Sequence, residues 1–191
     1  MKKPNKKIIV FDLDETLIHA TKKKLSIIED FIYEDYYIYK RPNVDVFLQE
    51  CCKLYSIAIW SSADDEYVNS IVHQLIKDVC SLAFIWGRSE CWMKVRNIED
   101  ELGLKRKEYL SIKPLEKIRK KGFKMDNLLI IDDSKYKVVD NPDNYIIIEP
   151  FVGDMKDNEL SKLLNYFQNI IPKGSFRNPS NRNWRDLSIN S

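Results

Sequence analysis

The feature that most narrows the fold is a series of short, wholly apolar runs, each ending abruptly in polar residues. Lys7-Ile-Ile-Val-Phe runs into Asp12, residues 55–60 run into Ser61-Ser62, and residues 128–131 run into Asp132-Asp133. Residues 82–86 and 145–148 have the same character. A strand that is apolar throughout, rather than at alternate positions, is covered on both faces. Between these runs, apolar residues recur at helical spacing. Val44, Phe47, Leu48 and Cys51 follow Arg41-Pro42-Asn43, and Val68, Ile71, Val72, Leu75, Ile76 and Val79 form one stripe within residues 64–79. Leu160, Leu163, Leu164, Phe167 and Ile171 predict a closing helix over 158–171, and 113–121 predicts a helix stopped by Gly122. Buried strands separated by helices predict an α/β fold: a doubly wound, Rossmann-like parallel sheet with helices on both faces. Residues 33–40, aromatic and acidic, predict a small hairpin insertion.

A chain of 191 residues, 44% of them hydrophobic, has material for one sizeable core. The expected organisation is a single domain over 1–172, followed by a polar, mobile tail over 173–191. Lys and Arg number 31 against 29 Asp and Glu, so the net charge of +2 creates no strong field toward nucleic acid or an anionic membrane. The apolar runs fall far short of the roughly 20 residues of a membrane span. The first of them ends at Asp12, too soon for a secretory signal. The expectation is a soluble, intracellular, monomeric protein, cytoplasmic or nuclear. Cys51 and Cys52 are adjacent, Cys80 and Cys91 stand alone, and only His19 and His73 could join them, so zinc is poorly supplied. All four cysteines are expected as buried free thiols.

In an open parallel sheet, ligands bind beyond the carboxyl ends of the strands. Here those ends carry Asp12-Leu13-Asp14-Glu15-Thr16, then Ser61, then Asp132-Asp133. A lone Asp-x-Asp is ordinarily a turn or a helix cap. Two acidic pairs, each directly after a buried strand, would repel strongly unless a cation lay among them. Carboxylate oxygens without His or Cys suit Mg²⁺.

Asp12-Leu13-Asp14-Glu15-Thr16-Leu17 resembles the D-x-D-x-T-L motif of the haloacid dehalogenase (HAD) superfamily. Lys40-Arg41-Pro42, Trp60-Ser61-Ser62-Ala63 with Tyr67, Lys113, and Ile130-Ile131-Asp132-Asp133-Ser134 follow in the order of its NIF-like branch. That branch contains the small phosphatases that act on the C-terminal domain of RNA polymerase. The resemblance implies a Mg²⁺-dependent phosphatase working through an aspartyl-phosphate. Asp12 would be the nucleophile, Asp14 the general acid and base, Ser61 a hydrogen-bond donor to the phosphoryl group, and Lys113 its counter-charge. The metal would be held by Asp12, the Asp14 carbonyl, Asp132 and Asp133, relatives often having Asp-Asn at the last two positions. Ser61 also reads as a helix cap, Ser62 competes with it for the phosphate, and Lys113 also reads as a solvated helix-start lysine near Lys105, Arg106 and Lys107. Thr16, Ser62, Tyr67 and Arg88 are candidate substrate residues.

The superfamily often encloses small metabolites under a cap domain inserted between Thr16 and Ser61. Here only about residues 20–40 are left over for an insertion, enough for a hairpin but not for a core. An open site suits a bulky substrate, so the expected partner is a phosphorylated protein or peptide. Asp64 stands where polymerase-tail relatives tend to carry an apolar residue near a substrate proline, which argues against a Ser-Pro preference. The competing readings are a nucleotide or polynucleotide phosphatase and, from a different class, a non-catalytic nucleic-acid- or protein-binding module, in which Arg177, Arg182, Trp184 and Arg185 would grip RNA.

Overall fold

The computed structural model describes residues 7–77, 79–99, 104–171 and 175–189. In chain order its elements are β1 (Ile8–Phe11), β2 (Ile18–Thr21), β3 (Phe31–Tyr33), β4 (Tyr36–Lys40), α1 (Val44–Leu54), β5 (Ser56–Trp60), α2 (Asp65–Ile76) and β6 (Ile85–Trp86). Then come β7 (Trp92–Glu99), β8 (Lys105–Ile112), α3 (Glu116–Lys120), β9 (Leu128–Asp132), α4 (Lys135–Val138), β10 (Tyr145–Ile147), α5 (Glu159–Asn165) and α6 (Trp184–Ile189).

The apolar runs form one five-stranded sheet in the order β10-β9-β1-β5-β6, with every pairing parallel. β1 lies at the centre, Ile8 opposite both Ser56 and Leu128, and Phe11 opposite both Ile59 and Ile131. Successive side chains along a strand point to opposite faces. Ile9, Phe11, Ile57, Ile59, Leu129 and Ile131 therefore pack on one side, against α1, α2 and α5. Ile8, Val10, Ala58, Trp60, Leu128 and Ile130 pack on the other, with Leu115, Ile118 and Val138 from the α3 and α4 segments. The α/β, doubly wound expectation holds, with small insertions in place of a cap. β2, β4 and β3 make a three-stranded antiparallel sheet, one strand more than the expected hairpin, and β7 and β8 form a separate antiparallel ribbon.

Five expectations need correction. The helix expected over 113–121 begins only at Glu116. The residue before a proline is pushed out of the helical region, and Lys113, directly before Pro114, stays outside the helix and fully buried. The run 82–86 pairs as a strand only at Ile85–Trp86, and the last helix passes into a π-turn over Tyr166–Ile170. Two of the cysteines are not free: Cys52 on α1 is disulfide-bonded to Cys80, while Cys51 and Cys91 remain thiols. α1 and α2 cover the same sheet face, which brings together two cysteines far apart in sequence.

The fifth correction concerns the tail. Residues 175–189 fold back onto the domain instead of trailing from it. Phe176 and Trp184 join the main core, and the Trp184 indole donates to the Ile147 carbonyl at 3.0 Å. Between them the buried Asn181 amide donates to the carbonyls of Phe176 and Asp143 and accepts from the Tyr166 hydroxyl. Two aromatic anchors among polar residues are too sparse to read as a periodic pattern, yet they fill a face that α5 leaves open. No helix of the described residues is long and apolar enough to cross a membrane. Trp184→Ala is expected to destabilise the fold by about 3 kcal/mol or more, the usual loss for a buried tryptophan. Urea denaturation followed by far-UV circular dichroism measures this, and an unchanged midpoint would show the C-terminal segment to be dispensable.

Candidate active site

The register of the central strands brings the sequence's candidate residues together. Asp12 follows β1, Ser61 follows β5 and Asp132 ends β9, so all three emerge side by side at the carboxyl edge. Backbone pairing continues through them: Asp12 N–H donates to Ile131 O at 2.9 Å, and Ser61 N–H to Trp86 O at 2.9 Å.

Asp12 is buried and held between two ammonium groups. Lys113 Nζ lies 2.8 Å from Oδ1, Lys137 Nζ lies 2.9 Å from Oδ2, and the Leu13 N–H also donates to Oδ1. Burial alone would raise the Asp12 pKa, but the two lysines outweigh it and hold the carboxyl at about 2. Lys113 also donates to Asp132 Oδ2 at 2.6 Å, and Ser134 N–H donates to Asp132 Oδ1 at 2.8 Å. Burial, followed by the neighbouring Asp12 charge, pushes Asp132 up to about 7.

Asp14 sits at the mouth of the site. Tyr67, in the first turns of α2, donates to its Oδ1 at 2.5 Å, and Ser61 Oγ lies 3.4 Å from its Oδ2. Burial raises Asp14 to about 6; the Tyr67 hydrogen bond opposes this, and the Asp12 charge adds to it. Glu15, which adopts a left-handed backbone (φ 57°), turns the chain sharply after Asp14 and pairs with His19 at 3.0 Å.

A fully buried arginine braces this loop from below. Arg41 makes a bidentate pair with Asp157 at 2.9 and 2.7 Å and donates to the carbonyls of Thr16 and Glu149. Of the sequence's candidate substrate residues, Tyr67 and Arg88 line the cleft beside Asp14. Thr16 does not: it is wholly buried, with an Oγ1 that has no hydrogen-bond partner. Ser62 contributes only its carbonyl, to Arg88 Nε at 3.0 Å, so Ser61 is the serine that faces Asp14.

Carboxylate oxygens of Asp12, Asp132 and Asp133 lie within 4.8 Å of one another. Asp133 Oδ1 is buried and has no hydrogen-bond partner, whereas both Asp132 oxygens are already engaged by Lys113 and Ser134. An all-oxygen set with one such orphaned atom fits a hard divalent cation. The residue that sequence reasoning missed is Lys137. Its ammonium lies 2.9 Å from Asp12, 3.7 Å from Asp132 and 3.8 Å from Asp133. No local pattern marks it: Asp133 precedes α4, so the four-residue spacing between the two is not a helical one.

The family model for NLI interacting factor-like phosphatases matches residues 7–177. The chain belongs to that family. The NIF-like domain is 27% identical over 173 residues to a human CTD small phosphatase-like protein, covering 86% of this chain and 56% of that protein. It is 29% identical over 189 residues to nuclear envelope morphology protein 1 of Saccharomyces cerevisiae, covering 91% and 41%. The chain thus spans about half the length of the curated relatives it matches. Among solved structures it resembles Fcp1, an RNA polymerase II CTD phosphatase, with a TM-score of 0.55 at 17% identity over 97% of this chain and 61% of that one. Fission yeast Fcp1 bound to beryllium fluoride gives 0.52 at 19% identity, covering 77% and 42%. At these identities the likeness shows a shared fold, the HAD-type fold expected from the first motif.

Lys137→Met removes a buried counter-charge of Asp12 in the NIF-like domain. In EDTA the variant is expected to be less stable by about 3 kcal/mol, the usual cost of stripping one partner from a buried ion pair. Chemical denaturation checks this, and equal stability of the two proteins would show that the ammonium neutralises nothing.

Proposed function

We propose that this chain is a phosphomonoesterase that transfers the phosphoryl group to Asp12 and then to water, acting on phosphorylated protein segments. One observation carries the reading: a buried carboxylate kept anionic by two lysines, with a second carboxyl two residues on that faces the open cleft. Neighbouring carboxyl groups whose surroundings push them to opposite protonation states divide naturally into a nucleophile and an acid.

In the first half-reaction an Asp12 oxygen attacks phosphorus, the bond from phosphorus to the ester oxygen breaks, and protonated Asp14 gives its proton to the departing oxygen. In the second, Asp14 as carboxylate takes a proton from water, the water oxygen attacks phosphorus, and the bond to Asp12 breaks to release phosphate. Lys113 lies between Asp12 and Asp132 and balances charge on the transferring oxygens. Ser61 is available as a donor to the phosphoryl group, and Tyr67 holds Asp14 in place. Mg²⁺ fits the oxygen set, with Asp12, Asp133 and the Asp14 carbonyl as its holders and Asp132 as the residue that orients Lys113. When bound, such an ion would supply positive charge against the negative charge on the phosphoryl oxygens.

The NIF-like relatives bear names of phosphatases of the polymerase C-terminal domain, which supports a protein substrate, as does the open cleft without a cap. Mg²⁺-dependent hydrolysis of p-nitrophenyl phosphate is the expected activity, and Asp12→Asn should lower kcat by several orders of magnitude. Asp14→Asn should be nearly as impaired while trapping phosphate on Asp12 during rapid-quench labelling. Full activity of Asp12→Asn, or of the wild type in excess EDTA, overturns the mechanism. A higher kcat/KM on mononucleotides or sugar phosphates than on phosphopeptides overturns the substrate class.

A further inference from the structure

Next to Asp14 the surface opens into a cleft of about 450 Å³. One wall is the β3–β4 turn, with Tyr33, Glu34 and Tyr36; the other is the start of α2, with Asp64, Glu66 and Tyr67. The three tyrosine rings enclose the space at steep mutual angles. Tyr67 meets Tyr33 at 5.5 Å and 78°, and Tyr36 at 6.3 Å and 61°. The rings pack edge to face and give the cleft an aromatic, polarisable lining against which the stem of an organic cation can lie. The chain itself illustrates the chemistry: the Lys22 ammonium, paired with Asp35, lies 5.0 Å from the Tyr36 ring centroid without being part of the cleft wall.

The charges on the walls point the same way. Glu34 and Glu66 carboxylates form no hydrogen bond or ion pair among the described residues, and Asp64 accepts only the Glu66 N–H that it caps. Arg88 is the one cation on the wall among the described residues, and its Nε is turned to the Ser62 carbonyl. An apolar side chain entering this space would strip water from carboxylates and return no partner. A lysine or arginine would lay its methylene stem against the rings and bring its charge to Glu34 and Glu66.

We propose that this cleft is a specificity subsite for a lysine or arginine that lies close in sequence to the phosphorylated residue of the substrate. The proposal rests on the phosphatase reading, because Asp14 forms the end of the cleft where the phosphoester would react. The substrate is then gripped at two poles. Its phosphate goes to Lys113 and Lys137, and its basic side chain goes to the tyrosine-lined, acidic pocket. The chain's net charge of +2 would not produce such a preference, so the selectivity must come from this local arrangement.

Fluorescein-labelled phosphoserine peptides test the idea. They differ only in carrying arginine, lysine or methionine at each of the two positions before and after the phosphoserine. Anisotropy titrations with Asp12→Asn protein, which cannot turn the peptides over, are expected to show about tenfold tighter binding for a basic residue than for methionine at one or more positions. Glu34→Gln with Glu66→Gln in that background should remove most of the preference. Equal affinities at every position overturn the subsite. Should Asp12→Asn fail to fold, the same ratio is read from kcat/KM of the wild type. A protein that hydrolyses p-nitrophenyl phosphate but ignores the basic residue overturns the subsite alone. One that binds basic peptides tightly and hydrolyses no phosphoester upholds the subsite and overturns the phosphatase reading.

Discussion

Four buried charges at the carboxyl edge of one parallel sheet set the terms for everything around them. Asp12, Asp132 and Lys113 are essentially out of reach of water, and Lys137 nearly so. Removing a single ion from water costs several kcal/mol, so none of these groups would be tolerated there alone. They are stable only as a set, and the set requires four segments to arrive together. β1 and β9 bring the aspartates in adjacent register, the end of β8 delivers Lys113, and α4 delivers Lys137. The two lysine segments are also joined directly. Lys113 N–H donates to Lys137 O at 2.7 Å, and the buried Asn141 side chain bonds both Lys113 O and Leu115 N–H.

Arg41 does for the loop after Asp12 what the lysines do for Asp12 itself. Its planar fork ties Asp157 to the carbonyls of Thr16 and Glu149, three segments distant in sequence. A lysine could not reproduce that geometry, because an ammonium cannot present parallel N–H bonds to a carboxylate. The side of the site that holds Asp12 is therefore braced by buried ion pairs and built from the sheet and its immediate loops. The cleft side is different, being assembled from the β3–β4 insertion and the start of α2. Chemistry on a fixed scaffold, with recognition on appended elements, is the usual division in α/β folds.

Whereas β2 and the β7–β8 ribbon were not legible in the sequence, the runs that form the parallel sheet, the two large helices and the acidic strand ends were. Each is announced by a local pattern: continuous apolar residues, an apolar stripe at helical spacing, or an Asp pair directly after a buried run. Lys113 was legible only through the family's motif order, since its own surroundings read equally well as an exposed helix start. Lys137, the Cys52–Cys80 bond and the docking of Phe176 and Trp184 were not legible. None of these has a local signature, and each depends on which faces and edges the folded sheet brings near one another.

The division follows from the range of the forces involved. Hydrophobic periodicity is written within a few residues, so the sequence alone determined a parallel α/β sheet with carboxylates at its carboxyl edge. Ion pairing and side-chain packing act across space between groups that may be over a hundred residues apart, as Lys137 is from Asp12. Only the register of β1 against β5 and β9 could decide that Ser61 rather than Ser62 faces Asp14, and that two lysines rather than one neutralise Asp12. Likewise, only the fold could decide that three tyrosines and the carboxylates of Glu34, Asp64 and Glu66 share a single cleft.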